Sequence, residues 1–460
     1  MTDQAKLPIA LIAYSCDPTK GSEYHIGWSW ALHLSQLYDV TVITHPRNEQ
    51  SLRRSGATDS GMAAFEIITL PHGLDPWRVS PEERFAWFRY TAWQMAAAYK
   101  VMSLNRQRRF RLIHHCSWGT LTGPTLAWLT GIPFVWGPIG GGQTTPMQLS
   151  GYLGRGAGWE RLRNLRIKLM GAMPWVRMAA RRARHCFVTN HETLNAIQRV
   201  GGKNVSVMPL DAIRDTAQLA SVIRGENERS RIVWVGRLLP RKAPLLALEI
   251  HARVLRTVDA ELVFAGDGDL RRDCEARARE LGIQDRVTFL GQVAFEDIPA
   301  VLSQSDLMIF TSIRDSFPQV ALEALAKGLP VVLLGHHGAE LLPQSAVISI
   351  PVSSPVETVS NLAKAVVRVL TDSALREKMS HAAVEEIRRS HLWSHRVEMV
   401  NTVYESILAA ESARTRVGQH EARPSEREDW KIRTGEFGQV TGEASGQRCE
   451  GASGDRIGSR

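Results

Sequence analysis

The stretch SIRDSFPQVALEALAKGLP, Ser312 to Pro330, sets Asp315 and Glu323 eight residues apart across the joint where a loop becomes a helix. A helix rises about 1.5 Å per residue, so this spacing predicts two carboxylates about 12 Å apart along one line, the length of a nucleotide sugar from sugar to ribose. Ser316 is read as the helix N-cap and Pro318 as a first-turn residue, leaving the amides of the residues that follow free to meet an anion. Upstream, VGRLLPRKAP (Val235 to Pro244) continues the β-rich run Ile232 to Val235 and supplies Arg237 and Lys242, five residues apart. Either acid alone reads as an ordinary solvated residue. Two cations and two acids beside the small-residue run Ala324 to Gly328 predict a ligand with an anionic middle and hydroxylated ends.

At 460 residues the chain exceeds the usual limit for one hydrophobic core, so two domains plus extras are expected. The five cysteines, Cys16, Cys116, Cys186, Cys274 and Cys449, are scattered without CxxC spacing. Neither a disulfide framework nor a zinc site is expected from them, and a reducing cytoplasm fits best. Met1 to Lys6 is polar and the apolar run Leu7 to Tyr14 is too short to span a bilayer, so it reads as a first buried strand.

Strand-like runs alternate with helical ones. Pro8 to Tyr14, Val40 to Thr44, Phe65 to Leu70, Arg111 to His115, Ile132 to Trp136, Cys186 to Asn190 and Val205 to Asp211 form a first set, with helices around Ile26 to Leu37 and Pro81 to Leu104. A second set comprises Ile232 to Val235, Leu262 to Ala265, Val287 to Leu290, Leu307 to Phe310 and Val331 to Leu333. This alternation predicts an α/β protein of two doubly wound, Rossmann-like parallel-sheet domains facing a cleft, residues 1–210 and 211–390, with ligands beyond the carboxyl ends of the strands. Residues 411–460, rich in Gly, Ser, Arg and Glu, are read as a disordered tail.

Three more segments carry candidate chemistry. CDPTKGSE (Cys16 to Glu23) puts Gly21 and Ser22 before a helix, where backbone amides can approach a phosphate, although a glycine there is commonly only turn chemistry. RLIHHCSWG (Arg111 to Gly119) ends a strand with His114 and His115. GPIGGGQTTP (Gly137 to Pro146) follows the next strand with four glycines, which serve either a linker or close backbone approach to a ligand.

The segment Val235 to Pro330 resembles the nucleotide-sugar-binding half of family 4 retaining glycosyltransferases, which have the GT-B fold. The resemblance rests on VGRLxxxK, LVFAGDGD (Leu262 to Asp269), VTFLGQV (Val287 to Val293), SDLMIFTS (Ser305 to Ser312), and an acid-x7-Glu element ending in GLPVV. It departs at the first acid, usually Glu and here Asp315, which bears on the choice of sugar. The resemblance implies Arg237 and Lys242 at the leaving diphosphate, Asp315 on the donor sugar and Glu323 on the ribose. It also implies donor contacts from Gly236, Asp267, Gly268, Gly291, Gln292 and the loop Ser316, Phe317, Pro318, Gln319 and Val320. Gly21 and Ser22 would face the donor phosphates from across the cleft, and His115 would lie beside the donor sugar. The acceptor side would hold Glu23, His114, Gly140 and Gly141. His391 to Ala410 resembles the family's last helix, which crosses back to the first domain.

The implied activity moves a sugar from a nucleoside diphosphate to a glycan or lipid-linked glycan acceptor, in cell-surface polysaccharide biosynthesis. No cofactor beyond the donor and no metal is expected, GDGD being the nearest approach to a metal motif. A GT-B nucleotide-sugar epimerase and a non-catalytic nucleotide-sugar-binding homologue are the alternatives. Gly151 to Arg184 mixes tryptophans and leucines with nine basic residues against the single acid Glu160. This predicts either a solvated basic helix with a core-facing stripe or attachment to an anionic membrane at its inner face; without a recognition motif, nucleic acid is not expected.

Overall fold

The computed structural model describes residues 5–21, 23–56, 62–68, 86–123, 125–215, 219 and 229–421, without the side chains of 86–87, 171–172 and 415–421. Residues up to Ala410 form one compact unit, and Glu411–Arg460 are a second.

The first sheet contains β1 (Pro8–Ala13), β2 (Asp39–Thr44), β3 (Ala64–Ile67), β4 (Leu112–Ser117), β5 (Phe134–Ile139), β6 (His185–Val188) and β7 (Val205–Val207). Its order is β3-β2-β1-β4-β5-β6-β7, with Ile9 opposite Val40 on one side and Leu112 on the other. The second contains β8 (Ser230–Val235), β9 (Ala260–Ala265), β10 (Val287–Phe289), β11 (Leu307–Phe310), β12 (Val331–Leu334) and β13 (Val347–Ile350), ordered β10-β9-β8-β11-β12-β13. The printed strand pairings are all parallel. The central strands are covered on both faces by crossover helices, which is why they read as continuous apolar runs instead of alternating ones. Each sheet reverses its winding once, between β1 and β4 and between β8 and β11, and a crevice opens at such a point.

The two domains share their cores with distant parts of the chain. Leu149 and Leu153, on the 3₁₀ segment Met147–Gly156, are buried in the second domain's core with Leu246 and Val366. In return the last helix, Trp393–Glu421, buries Trp393, Val400 and Tyr404 against Leu11 and Trp30 of the first domain. Trp30 and Trp393 meet edge to face at 4.9 Å, a geometry contributing about 0.5–1.5 kcal/mol beyond burial. Two chain crossings run side by side: the Ile213 N–H donates to the His391 carbonyl (2.9 Å) and the Trp393 N–H to the Ile213 carbonyl (3.0 Å).

Several boundaries differ from the sequence reading. The closing helix begins at Trp393 and continues to Glu421, so the first part of the expected disordered tail is helical; residues beyond 421 lie outside the described residues. β3 ends at Ile67, and the long helix after it is seen from Ala86 to Arg108. The basic segment is broken into Ala157–Lys168, a 3₁₀ turn at Leu169–Ala172 and Pro174–Arg182, the break preceding Pro174 at the first helical position.

Candidate active site

Arg237 and Lys242 follow β8, Asp315 follows β11, and the switch point of the second sheet brings them together. Lys242 Nζ forms an ion pair with Asp315 Oδ2, both side chains being about one-fifth exposed (18% and 21%). Burial acts to raise the Asp315 carboxyl, but Lys242, Arg241 and the Ser316 N–H (3.0 Å) overcome it and hold it below the usual range. Burial is also the chief cause lowering Lys242, opposed by Asp315 and helped by Arg241 and Arg237. The group is therefore a compact cationic cluster around one carboxylate. Arg237 stands exposed on the wall of a hollow of about 560 Å³, which it shares with Gly236, Asp267, Gly268 and Gln292. Gly291 adjoins it, its carbonyl accepting from the Gly266 N–H at 2.8 Å.

Glu323 lines a second hollow of about 470 Å³, between His25, Arg214, Phe295 and Gln319. Burial, helped by the negative charge of Asp211, pushes its carboxyl up to about 8, so Glu323 is protonated at neutral pH in the empty protein. His25 is fixed in one neutral tautomer. Arg214 donates to its Nε2 (3.3 Å) while Nδ1–H donates to the Asp17 carbonyl (3.3 Å), and burial and then Arg214 bring it down to about 4.

The first domain faces this cluster with Glu23 at the start of the helix Glu23–Leu34. Desolvation raises the Glu23 carboxyl, Arg47 and Arg241 lower it, and Asp315 raises it, so four charged groups from two domains meet in one field. Arg47 lies over Tyr14 (4.5 Å) and Tyr24 (5.1 Å) and bonds Ser15 Oγ. A Cβ on Gly21 would fall 2.2 Å from the Phe295 ring, so only glycine permits this approach of the two domains. Ser22 lies outside the described residues.

The loop before the acidic helix is built differently from the sequence expectation. The helix spans Gln319–Ala326, Pro318 occupies the N-cap position, and no side chain caps it. Ser316 instead reaches across the cleft: its Oγ accepts from Gln143 Nε2 (3.2 Å) and its carbonyl from Asn190 Nδ2 (2.8 Å). Phe317 is buried in the second core, so its side chain is a packing group and not a donor contact, and Val320 packs against that core as well. Gly140 lies against Ser316, where a Cβ would come within 2.5 Å of Oγ; the Gly141 N–H donates to Gln143 Oε1 (2.8 Å).

Both histidines are withdrawn from the cleft. β4 runs through Ser117, so His114 and His115 lie inside the strand and are fully buried. His114 Nε2–H donates to the Gly137 carbonyl (2.6 Å) and Nδ1 accepts from the Tyr404 hydroxyl (2.7 Å), which ties the closing helix to the first sheet. His115 Nε2 sits among Tyr90 Oη, Gln94 Nε2 and the Ser117 carbonyl at 3.1–3.2 Å. Burial, and next the adjacent His114, bring it down to about 3, a neutral core residue with no path to a sugar. Trp118, at φ 55°, occupies the strand's exit instead, against Tyr14 at 4.7 Å.

Four groups at the site escaped the sequence reading: Arg47, Arg241, Gln143 and Asn190. Arg47 and Asn190 directly follow β2 and β6, so the rule that ligands meet the carboxyl ends of strands was the available signal.

Two facing doubly wound sheets with a cationic cluster at the second switch point define a GT-B glycosyltransferase fold. Residues 219–386 match the family described as glycosyl transferases group 1, and the chain belongs to that family through its second domain. Over 350 residues it is 26% identical to the 2-deoxystreptamine glucosyltransferase of Streptomyces kanamyceticus, covering 70% of this chain and 84% of that one. An uncharacterized glycosyltransferase of Methanocaldococcus jannaschii is 29% identical over 179 residues, 39% of this chain and 45% of that one. The chain spans less than half the length of the leading curated relatives it matches. Among solved structures, sucrose-phosphate synthase from Thermosynechococcus elongatus superposes with a TM-score of 0.62 at 18% identity, covering 88% of this chain and 100% of that one. Anabaena HepE in complex with UDP and glucose superposes with a TM-score of 0.53 at 17% identity, covering 88% and 100%.

Proposed function

We propose that the protein is a retaining glycosyltransferase that moves a sugar from a nucleoside-diphosphate sugar to a hydroxyl of a glycan or lipid-linked glycan, in cell-surface polysaccharide biosynthesis at the inner face of the cell membrane. The observation that carries the reading is the cluster of Arg237, Lys242 and Asp315 at the second switch point, opposed by Glu23 and Arg47 from the first domain. Departure of the diphosphate places negative charge on its oxygens and positive charge on the sugar. Preorganised cations meet the first charge, and a carboxylate beside the sugar answers the second. On this reading Arg237 and Lys242 hold the diphosphate, Asp315 the sugar and Glu323 the ribose, with Gly291 and Gln292 beside the base.

Closure around the donor limits its hydrolysis by water, and the contacts of Ser316, Gln143 and Asn190 describe a closed arrangement. The cations belong to the chain itself, so the reaction requires no metal; turnover abolished by a chelator and restored by magnesium would overturn that part. The reading as a whole is tested by thermal shift with UDP-, GDP- and ADP-sugars, since a ligand that binds only the folded state raises the melting temperature. A shift with one nucleotide family, followed by acceptor-dependent release of its diphosphate, is expected. No shift with any of them sinks the reading.

A further inference from the structure

More than half of the large apolar side chains that stand exposed among the described residues lie on elements of the first domain that touch one another in series. The helix Ala86–Arg108 presents Phe88, Met95, Tyr99 and Met102, spaced by seven, four and three residues and so on one face. It packs on the 3₁₀ turn Ala127–Thr130, which carries exposed Leu129 and touches Pro174–Arg182, where Trp175 and Met178 face outward. Through the turn Leu169–Ala172 this adjoins Ala157–Lys168, whose outer face is Trp159, Leu162 and Leu165. Trp159 and Tyr99 are 74% and 72% exposed, large values for rings that core packing would otherwise bury.

The charge on this surface has one sign. Glu160 is the single acid in these stretches, and it turns inward to Arg314 (2.9 Å) and Thr145 (2.7 Å). Arg161, Arg166, Lys168, Arg177 and Arg181 are exposed around the tryptophans. Toward the sheet edge Lys100 and Arg108 are paired with Glu66 and Asp39, so the uncompensated charge gathers on the Ala157–Arg182 half. Aromatic anchors among snorkelling cations suit the headgroup layer of an anionic bilayer. A twofold contact between two copies would oppose these cations to themselves.

The helix Ala157–Lys168 also reaches the site. Its inner face sends Arg163 to the Gln143 carbonyl (2.9 Å), Asn164 to the Thr145 carbonyl (2.8 Å) and Glu160 to Arg314, next to Asp315. One helix thus joins the apolar surface to the glycine loop and to the donor loop. We infer that this surface seats the protein on an anionic lipid bilayer, and that the acceptor of the proposed transfer is carried on a lipid and enters the cleft past Gly140 and Gly141. The inference deepens the glycosyltransferase reading and rests on it for the identity of the cleft.

The test is flotation of the full chain with phosphatidylcholine vesicles, with and without phosphatidylglycerol, beside a thermal shift with UDP as a separate readout of the nucleotide site. Flotation is expected with the anionic vesicles only. Each Arg→Ser change at Arg161, Arg166 or Arg177 should weaken it about fivefold. The pair Trp159→Glu and Leu165→Glu should abolish it while the melting curve and the UDP shift stay as in the parent, and Tyr99→Ser, on the neighbouring helix, should weaken it. No flotation, or equal flotation on the zwitterionic vesicles, overturns the inference and leaves the glycosyltransferase reading standing. Flotation without any nucleotide shift does the reverse. A dimer in sedimentation velocity that Trp159→Glu disperses would assign the surface to a second copy and also overturn the inference.

Discussion

Lys242→Met removes one ammonium and little else. The thioether keeps the length of the stem and its place near the Phe310 ring, whose centroid lies 5.4 Å from Nζ. Asp315 loses its ion-pair partner but keeps the Ser316 N–H at 3.0 Å and the field of Arg241, so its charge is not stranded. Breaking a fully buried pair costs about 3–5 kcal/mol, whereas this half-buried carboxylate retains partners, and a loss of about 1–2 kcal/mol follows. The melting temperature should fall by a few degrees. Turnover should fall about 10²–10³-fold, the usual effect of deleting one preorganised group that meets charge developing in the transition state. Because that charge arises only as the diphosphate leaves, kcat should carry the loss and the donor KM should change little. The assay is acceptor-dependent release of nucleoside diphosphate, using the donor that gives the largest thermal shift, beside a melting curve of the same preparation. Turnover within about fivefold of the parent, about 1 kcal/mol of barrier, would refute the assigned role of Lys242. A variant that no longer melts cooperatively would show that the lysine is structural.

Glu323 binds its proton more tightly in the folded chain, with its carboxyl raised from 4.5 to about 8, so its favourable contribution is complete below the unfolded value and lost as pH rises through the folded one. Glu323→Gln should therefore gain stability on the parent between roughly pH 5 and 8, by about 1–2 kcal/mol for a half-buried group; identical pH profiles of the two melting temperatures would contradict this. Gly140→Ala places a Cβ 2.5 Å from Ser316 Oγ and should prevent closure, raising the radius of gyration in solution scattering and lowering turnover. Adding Ser316→Gly should restore both, and a lack of rescue would assign the loss elsewhere. Tyr404→Phe leaves His114 Nδ1 without its 2.7 Å partner and should cost about 1–2 kcal/mol in denaturant unfolding with turnover unchanged.

The strands were legible because β1, β4, β8 and β11 are buried on both faces and read as unbroken apolar runs, and because the switch-point rule then places Arg237, Lys242 and Asp315 together. Glu323 was legible from its spacing along a helix. Ser316 was misread because local propensity cannot register a partner on another domain, and Gln143 and Asn190 take the serine that a helix start would have used. The histidines were misplaced because the apolar pattern does not show that β4 extends two residues past His115. Tyr404 and Gly137, which account for His114, are far from it in sequence or on another strand. Arg47 carried no local pattern; an arginine two residues past a strand is common, and its role depends on Tyr14, Tyr24 and Glu23 arriving from elsewhere.

The exchange of core residues between the domains bears on the order in which the chain can acquire its structure. Leu149 and Leu153 emerge from the ribosome before any strand of the second sheet exists, and they must remain without their final neighbours until Leu246 and Val366 have been made. The first sheet waits longer, since Trp393, Val400 and Tyr404 come almost at the end of the described chain. Neither domain can close its core as a finished module during synthesis, which exposes apolar surface for longer than in a chain whose domains complete one after the other. Ribosome-bound chains halted before Trp393 should be held by chaperones that released full-length chains no longer engage.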